Sequence, residues 1–330
     1  MRALLYSALM LTLLSACRGN NTADEGEEDV VETPVRPTVQ APAFNADSAY
    51  SYVNQQVAFG PRVPGTPAQL ACAAWMEGKL RRHCDTVFVQ RTSVKGGDGS
   101  QQRCINLVGA INPSATRRIL LLAHWDSRPW ADQDIRDKDK PVDGADDGAS
   151  GVGVLLEMAR QMRLQALPGS IGVDILLTDV EDYGKTEWGD DSYGLGTQYW
   201  SANPHLPGYR AAYGVLLDMV GGRGARFPQE EFSKQYAPDV QQRLWQTANR
   251  TGYGAFFPFA NGGAITDDHV FVNRIARIPT IDVIHLTSSG TGFPPHWHTH
   301  ADNMSVIDRA TLKAVGQSVL QMLYEEQGSM

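Results

Sequence analysis

Three acidic side chains follow a short apolar run in the segment DILLTDVEDYGKTEW, residues 174–188. Asp179, Glu181 and Asp182 lie within four positions, directly after the sequence ILLT. Carboxylates held this close together repel one another and raise each other's pKa unless a cation lies among them. The pattern therefore predicts a cation-binding site where a buried strand ends.

Histidine or acidic side chains also follow other predicted strands, or precede a predicted helix. An isolated aspartate after a strand is most often a turn residue or a helix cap, but here the candidates converge on one edge of the predicted sheet. Imidazole nitrogen and carboxylate oxygen without thiolate are typical ligands of zinc and of divalent ions with similar preferences. The candidates are His124, Asp126, Asp146, Asp147, Asp218, His285, His296, His298 and His300.

Apolar patterning predicts the elements that position these residues. Buried runs alternating with helical patterns indicate an α/β fold, in which helices flank a mostly parallel or mixed central sheet and the site lies at the carboxyl ends of the strands. No linker or repeat follows residue 45, so residues 45–330 are predicted to form one domain. Thr66 and Pro67 predict the start of a helix. Strands are predicted at 86–94, 104–111, 117–125, 172–179, 211–221 and 278–286, and further helices at 148–164, 194–203, 237–251 and 308–326.

The N-terminal segment has the features of an export signal. Residues 1–16 contain Arg2, a short apolar stretch and then small residues. The sequence LSAC resembles a bacterial lipobox, which predicts cleavage before Cys17, lipid attachment there, and anchoring at the periplasmic face of the bacterial cell envelope. An ordinary signal peptide is the alternative, and it also predicts export. Residues 17–44 are acidic and have little to bury, so a disordered tether is predicted.

Charge and cysteine content narrow the function further. A formal net charge of −8 and a pI near 5.5 argue against a nucleic-acid-binding protein, which normally presents a basic surface. No C-x-x-C pair is present, so a cysteine-ligated metal site is not predicted. Cys72, Cys84 and Cys104 leave two alternatives open. One is a disulfide, preferably between Cys84 and Cys104 because they flank a predicted strand pair, and the other is three reduced, buried thiols.

The ordered set of candidate residues resembles the zinc aminopeptidases of family M28, from about residue 45 to the C-terminus. The residues that carry this resemblance are His124, Asp126, Asp147, Glu181, Asp182, Asp218 and His298. Within that family, the segments GPRVPGT, LLDMVGG, TDDHVFV, DVIHL and WHTHADN are similar to glutaminyl-peptide cyclotransferases, in particular to a bacterial branch. These zinc enzymes convert N-terminal glutamine into pyroglutamate. The resemblance therefore implies peptide or protein substrates with N-terminal glutamine.

Resemblance to the cyclotransferases implies one zinc ion per chain, bound by Asp147, Asp182 and His298. His124 would then be a structural residue or a ligand of a second ion. Asp182 departs from the glutamate usual in animal cyclases. All the positions that hold two metals in the aminopeptidases are filled, so hydrolysis of N-terminal residues is the alternative function. A non-catalytic envelope receptor is a third alternative, against which the presence of Glu181 argues.

The resemblance also implies catalytic roles. Zinc would polarise the side-chain amide of the substrate glutamine, while Glu181 would carry a proton from the attacking α-amino group to the leaving nitrogen. Asp267 would share a hydrogen bond with Asp218 and steady the substrate nitrogen. Taken alone, Trp188 or Trp297 would be better explained by surface or core packing, and only their matching places in the resemblance imply pocket walls. The implied pocket walls are Trp188, His285, Phe293 and Trp297.

Overall fold

The computed structural model describes residues 39–167, 171–288 and 292–326, which form a six-stranded sheet and its surrounding helices. The strands are β1 (Thr86–Lys95), β2 (Gln101–Ile111), β3 (Arg117–His124), β4 (Ile171–Thr178), β5 (Gly214–Asp218) and β6 (Thr280–Ile284). The helices are α1 (Ala46–Val57), α2 (Pro67–His83), α3 (Ala149–Leu164), α4 (Leu195–Ala202), α5 (Glu231–Tyr236), α6 (Pro238–Arg250), α7 (Asp268–Phe271) and α8 (Arg309–Tyr324).

The sheet is mixed, with strand order β1-β2-β4-β3-β5-β6. β4, β3, β5 and β6 are parallel to one another, whereas β2 pairs antiparallel with both β1 and β4. Every residue of β4, β5 and β6 is buried, as expected for parallel strands that are covered on both faces. The predicted α/β fold is therefore confirmed, and all six predicted strands are present.

Alternate residues of the central strands face two apolar layers. Leu121 of β3 belongs to the larger layer, which includes residues of α1, α2, α3, α6 and α8. Its neighbours Leu120 and Leu122 face the smaller layer, which includes Trp200 of α4. A Cβ atom added to Gly151 would lie 2.1 Å from the carbonyl oxygen of Leu217. Glycine at this position therefore lets the first turn of α3 pack directly on β5, beside the candidate site.

The start of α2 forms as the sequence predicts. Thr66 accepts a hydrogen bond from the backbone N–H of Gln69, and Pro67 occupies the first turn. Sequence patterning missed α1, whose sequence ADSAYSYVNQQV is largely polar. This helix forms because Asn45 caps it and because residues such as Tyr52 and Val53 are buried on one side.

The folded domain begins earlier than the sequence predicts. Phe44 is buried against Gly316 of α8, and the backbone N–H of Ala41 donates to Gln321. Residues 41–44 therefore pack on the domain, because the Phe44 ring lies against α8 and the backbone of Ala41 is hydrogen-bonded to it. The predictions for residues 1–38, including the lipobox-like segment, lie outside the described residues.

The three cysteines of the described chain are free and buried. The preferred Cys84–Cys104 bridge is wrong, because the two thiols lie toward opposite ends of β2. Cys104 is opposite Thr92 of β1, whereas Cys84 lies against Gly109. Burial raises the pKa of Cys84 to about 12, which makes this thiol unreactive. No helix in the part of the chain that the structure describes is long and apolar enough to span a bilayer.

Candidate metal centre and active site

The candidate residues meet at the carboxyl ends of the parallel strands. His124 ends β3, Asp218 ends β5, and Glu181 and Asp182 lie in the loop that follows β4. Asp147 lies two residues before α3. His298 comes from the loop between β6 and α8. All six side chains are buried at this edge of the sheet, where α/β folds bind their ligands.

Two groups of potential metal ligands share Asp147. In the first group, His124 Nε2 lies 3.0 Å from Asp147 Oδ1 and 3.2 Å from Asp218 Oδ1. In the second, His298 Nε2 lies 3.4 Å from Asp182 Oδ1 and 3.8 Å from Asp147 Oδ2. Zinc–ligand bonds of about 2.0–2.1 Å at tetrahedral angles place ligand atoms roughly 3.3 Å or more apart. The atoms of the second group have this spacing, whereas the atoms of the first group lie at hydrogen-bond distances from one another.

The chemistry of the second group also fits zinc. It offers one imidazole nitrogen and two carboxylates, a donor set typical of zinc sites that keep a position open for substrate. Although burial opposes ionisation, His298 and Arg128 hold the pKa of Asp182 below its usual value. Asp182 is therefore negatively charged at neutral pH. The sequence-predicted ligands Asp147, Asp182 and His298 are thus brought together in a geometry that can hold a divalent cation.

Two buried carboxylates fix the loops that carry the ligands. Asp126 accepts hydrogen bonds from the backbone N–H groups of Glu181, at 3.0 Å, and Asp182, at 3.1 Å, and also faces His124 Nδ1 at 3.5 Å. Asp302 accepts from the backbone N–H of Asp147 at 3.1 Å, as well as from that of residue 146. Asp126 is a sequence-predicted candidate, whereas Asp302 was not predicted, although it lies four residues after His298.

Two histidines near His298 pair elsewhere. His296 Nε2 lies 2.8 Å from Asp146 Oδ2, and His300 Nδ1 lies 2.9 Å from Asp134 Oδ2. Asp146 therefore links two loops and is not merely a turn residue. Neither histidine belongs to a potential ligand group, although both are among the sequence-predicted candidates.

Backbone strain marks the same edge of the sheet. Val180, Met219 and His298 have positive φ angles of 56°, 48° and 56°. Positive φ is uncommon for residues other than glycine and is costly for a β-branched residue such as Val180. Strained residues cluster at functional sites, where the surrounding structure holds them in place. Here the first two adjoin Glu181 and Asp218, and the third is itself a candidate ligand.

Glu181 has the environment of a general acid and base. Its side chain is buried, and one of its oxygens lies within 4.8 Å of carboxylate oxygens of Asp267 and Asp268. Burial raises the pKa of Glu181 well above its usual value, and the charges of Asp267 and Asp182 add to the effect against an opposing influence of His124. A carboxyl group with a raised pKa can both accept and return a proton near neutral pH.

Asp267 lies close enough to Asp218 for their charges to interact, and the hydrogen bond predicted between them stays a prediction. Asp218 Oδ1 pairs with His124, and Asp267 Oδ1 accepts from the backbone N–H of Asp268, while Asp267 Oδ2 is buried without a hydrogen-bond partner. Burial, followed by the charges of Asp218 and Asp268, raises the pKa of Asp267 well above its usual value. Burial likewise raises the pKa of Asp218 to about 6.

A cavity of about 310 Å³ opens onto these groups. Phe293 and Trp297 form part of its wall and stack with ring centroids 4.3 Å apart, and Trp297 in turn stacks on His298 at 3.6 Å. The wall also contains loop residues that the sequence did not predict, such as Thr186, Tyr193 and Ile265, because nothing in their local pattern indicates which loops fold over the site. The remaining lining residues are Asp147, Glu181, Asp182, Thr186, Asp190, Tyr193, Asp218, Met219, Ala264, Ile265, Thr266, Asp267 and Ile284.

Two predicted pocket residues are not among those that line this cavity. Trp188 packs instead against Trp130 and Tyr183, with ring centroids 5.9 and 6.3 Å away. His285 borders a second cavity of about 470 Å³, and its Nδ1 is buried without a partner. A position after a strand end therefore does not reveal the direction of the side chain.

This fold and site agree with comparisons to known proteins. Residues 106–323 match the model of peptidase family M28, so the chain belongs to that family. It is 47% identical to the Bacteroides thetaiotaomicron glutaminyl cyclase that was crystallised with N-acetylhistamine, with a TM-score of 0.85 over 87% of this chain and 100% of the other.

Two further relatives widen the comparison. A Zn-dependent exopeptidase from Parabacteroides distasonis ATCC 8503 is 49% identical, with a TM-score of 0.84 over 86% of this chain and 99% of the other. Bovine glutaminyl-peptide cyclotransferase is 26% identical over 296 residues, covering 80% of this chain and 78% of its own length. The family resemblance predicted from the sequence is therefore confirmed.

Proposed function

We propose that this protein converts the N-terminal glutamine of peptides or proteins into pyroglutamate and releases ammonia, with one bound zinc ion as cofactor. The observation that carries the proposal is that Glu181 and the three candidate ligands line one cavity, so that a proton carrier and a metal-binding group face the same space. A substrate amide held there would meet both groups at once. The three ligands are Asp147, Asp182 and His298.

Relatives support this reaction. The similar chain from Bacteroides thetaiotaomicron is named a glutaminyl cyclase, and the bovine relative is named a glutaminyl-peptide cyclotransferase. Asp147, Asp182 and His298 would hold the zinc ion, which supplies Lewis-acid polarisation of an amide carbonyl when bound. His124 is then a structural residue, because its Nε2 already lies at hydrogen-bond distance from two carboxylates.

Glu181 would move the proton. It accepts a proton from the α-amino nitrogen of the substrate as that nitrogen attacks the carbon of the glutamine side-chain amide. Glu181 then returns the proton to the amide nitrogen, which departs as ammonia. One carbon–nitrogen bond forms and another breaks, so Glu181 ends the reaction as it began. Asp267, beside Asp218, would accept a hydrogen bond from the substrate nitrogen and keep it in place.

The cavity wall would orient the substrate and exclude water. Phe293 and Trp297 present stacked rings beside the ligand His298. Attack by water would convert glutamine into glutamate, so a dry wall favours ring closure. Holding the amine close to the amide can lower the barrier by several kcal/mol, because the chain no longer has to search for the reactive geometry.

Incubation of zinc-loaded protein with a peptide that begins with glutamine tests the proposal. The expected product, identified by mass spectrometry, is lighter by one ammonia and keeps every peptide bond. A matched peptide that begins with asparagine is the control, because its shorter side chain would have to close a smaller ring. Release of free amino acids would contradict the proposal, and so would the absence of any reaction.

Aminopeptidase activity is the second candidate function. It is favoured by the assembly of both ligand groups around Asp147 and by the similarity to a Zn-dependent exopeptidase. Metal analysis of the purified protein separates the two functions. Close to one zinc ion per chain is expected for the cyclase, whereas two per chain would favour the aminopeptidase.

We also propose that the protein is exported and attached to the bacterial envelope by a lipid on Cys17, on its periplasmic side. The support is the LSAC sequence that follows a short apolar stretch. Expression in bacteria with radiolabelled palmitate should label the full-length chain but not a Cys17→Ala variant. Equal labelling of both chains, or of neither, would contradict lipid attachment.

A further inference from the structure

The guanidinium of Arg128 is hydrogen-bonded to the candidate metal ligand Asp182. Arg128 is 2% exposed, and its Nη1 donates a hydrogen bond of 2.8 Å to Asp182 Oδ1. The other edge of the guanidinium forms a bidentate ion pair with Asp132, in which Nε donates to Oδ1 at 2.6 Å and Nη2 donates to Oδ2 at 3.0 Å. Arg128 also donates to the backbone carbonyl of Gly184 at 3.2 Å. The guanidinium is therefore fixed in orientation.

Asp132 reaches the other end of the same ligand group. Its Oδ1 lies 3.4 Å from Nδ1 of His298, on the opposite side of the ring from Nε2, the atom that faces Asp182. A continuous set of contacts therefore runs from Asp182 through Arg128 and Asp132 to His298. We call these four side chains the support network.

We propose that Arg128 and Asp132 are positioning residues that set the metal affinity of the Asp147–Asp182–His298 group. This inference rests on the proposed zinc site. A carboxylate that faces one ring nitrogen of a histidine keeps the proton there and leaves the other nitrogen free to bind metal. Asp132 Oδ1 lies on that side of the His298 ring, 3.4 Å from Nδ1 but outside hydrogen-bond geometry, and Nδ1 has no other partner among the described residues. Arg128 fixes Asp132 and at the same time restrains one oxygen of Asp182.

The charges of the network are balanced for this role. Arg128 and Asp132 form an ion pair through two hydrogen bonds, one positive group with one negative group. Arg128 and Asp132 together therefore carry no net charge. It can orient two ligands without placing an extra net charge beside the cation.

The same loop provides a matched control. Gln133 donates its backbone N–H to the carbonyl of His298 at 3.2 Å, and Asp134 Oδ2 lies 2.9 Å from both the backbone nitrogen and Nδ1 of His300. Asp134 thus fastens the loop to the His298 segment much as Asp132 does. It faces a histidine that belongs to no ligand group. Asp134→Asn loosens the loop without removing a contact to a ligand.

Zinc affinity of the metal-free protein, measured by competition with a fluorescent zinc chelator, tests the proposal. Loss of a carboxylate behind a metal-binding histidine typically weakens metal binding about 10–100-fold, so Asp132→Asn is expected to raise the zinc Kd by that factor. Asp132→Glu, which restores a carboxylate, is expected to recover part of the affinity. Asp134→Asn is expected to leave the Kd unchanged.

Thermal unfolding of the metal-free variants separates positioning from folding. The Asp132 side chain is 39% exposed, so Asp132→Asn should fold and melt like the wild type without zinc and gain less on adding zinc. Arg128 variants are less informative, because they remove the partner of two carboxylates at once. An unchanged zinc Kd in Asp132→Asn, or an equal loss in Asp134→Asn, would overturn the inference. Failure of the wild type to bind zinc would instead overturn the proposed function.

Discussion

Replacement of Glu181 by glutamine tests the assigned proton carrier. Glutamine keeps the size and shape of the side chain but cannot accept the proton of the substrate amine. General acid–base catalysis typically contributes about 10²–10⁴-fold, so E181Q is expected to lower kcat by that factor. This range corresponds to about 3–5 kcal/mol of lost transition-state stabilisation. KM and zinc affinity should change little, because Glu181 belongs to neither of the two potential metal-ligand groups that share Asp147.

The pH dependence sharpens this test. Because burial raises the pKa of Glu181, its unprotonated form is lost as the pH falls through a range above the ordinary carboxylate value of about 4.3. The wild type should therefore lose kcat as the pH falls through that range, and E181Q should lack that limb. Ammonia release from a peptide that begins with glutamine measures both quantities.

Glu187 provides the control for E181Q. It lies six residues further along the same loop, and its side chain is 68% exposed. E187Q removes a carboxylate of the same type and should leave kcat and its pH profile unchanged. The reasoning would be refuted if E181Q kept kcat within about tenfold of the wild type, since that is below the usual contribution of a general base.

Three further predictions concern the metal and the stability of the fold. Chelation of zinc should abolish cyclisation and lower the Tm, and added zinc should restore both, because a ligand that binds only the folded state stabilises it; a fully active metal-free protein would contradict this. Folding raises the pKa of Asp267, so the folded state favours the protonated side chain over the ionised one. The contribution of Asp267 to stability is therefore complete below its unfolded pKa of about 3.9 and is lost as the pH rises through the folded value. D267N should therefore raise the Tm of the metal-free protein near pH 8 but not near pH 4, while lowering kcat, and an equal shift at both pH values would count against the raised pKa. Gly151→Ala should lower the free energy of unfolding, measured in urea, by about 1–3 kcal/mol, because the added Cβ would lie 2.1 Å from a backbone oxygen. Gly78→Ala is the control: its Cβ would meet nothing within 4 Å, so this variant should be about 0.5–1 kcal/mol more stable than the wild type.

The parallel part of the fold could be predicted because β3, β4, β5 and β6 are largely apolar runs that end at, or are followed by, an acidic residue or histidine. Asp182 and Asp218 follow such runs, and the rule that ligands gather at the carboxyl ends of parallel strands predicts where they meet. The weakest predictions concern elements with mixed polarity. Helix α1 was missed because burial of a few residues, with a cap at Asn45, outweighs its polar composition.

Side-chain direction and long-range pairing could not be predicted from local pattern. Trp188 and His285 occupy suitable places along the chain, yet neither lines the cavity that contains Glu181. Arg128 and Asp302 act on residues that are 54 and 155 positions away, and no periodicity reports such contacts. These pairings become visible only when the loops are seen together in three dimensions.

The number and place of bound zinc ions test the central claim most directly. Crystals soaked in excess zinc, measured at the zinc absorption edge, should show one anomalous peak per chain, between Asp147, Asp182 and His298. A second peak of equal height between His124 and Asp218 would contradict the account, because it would establish the two-metal centre of a hydrolase.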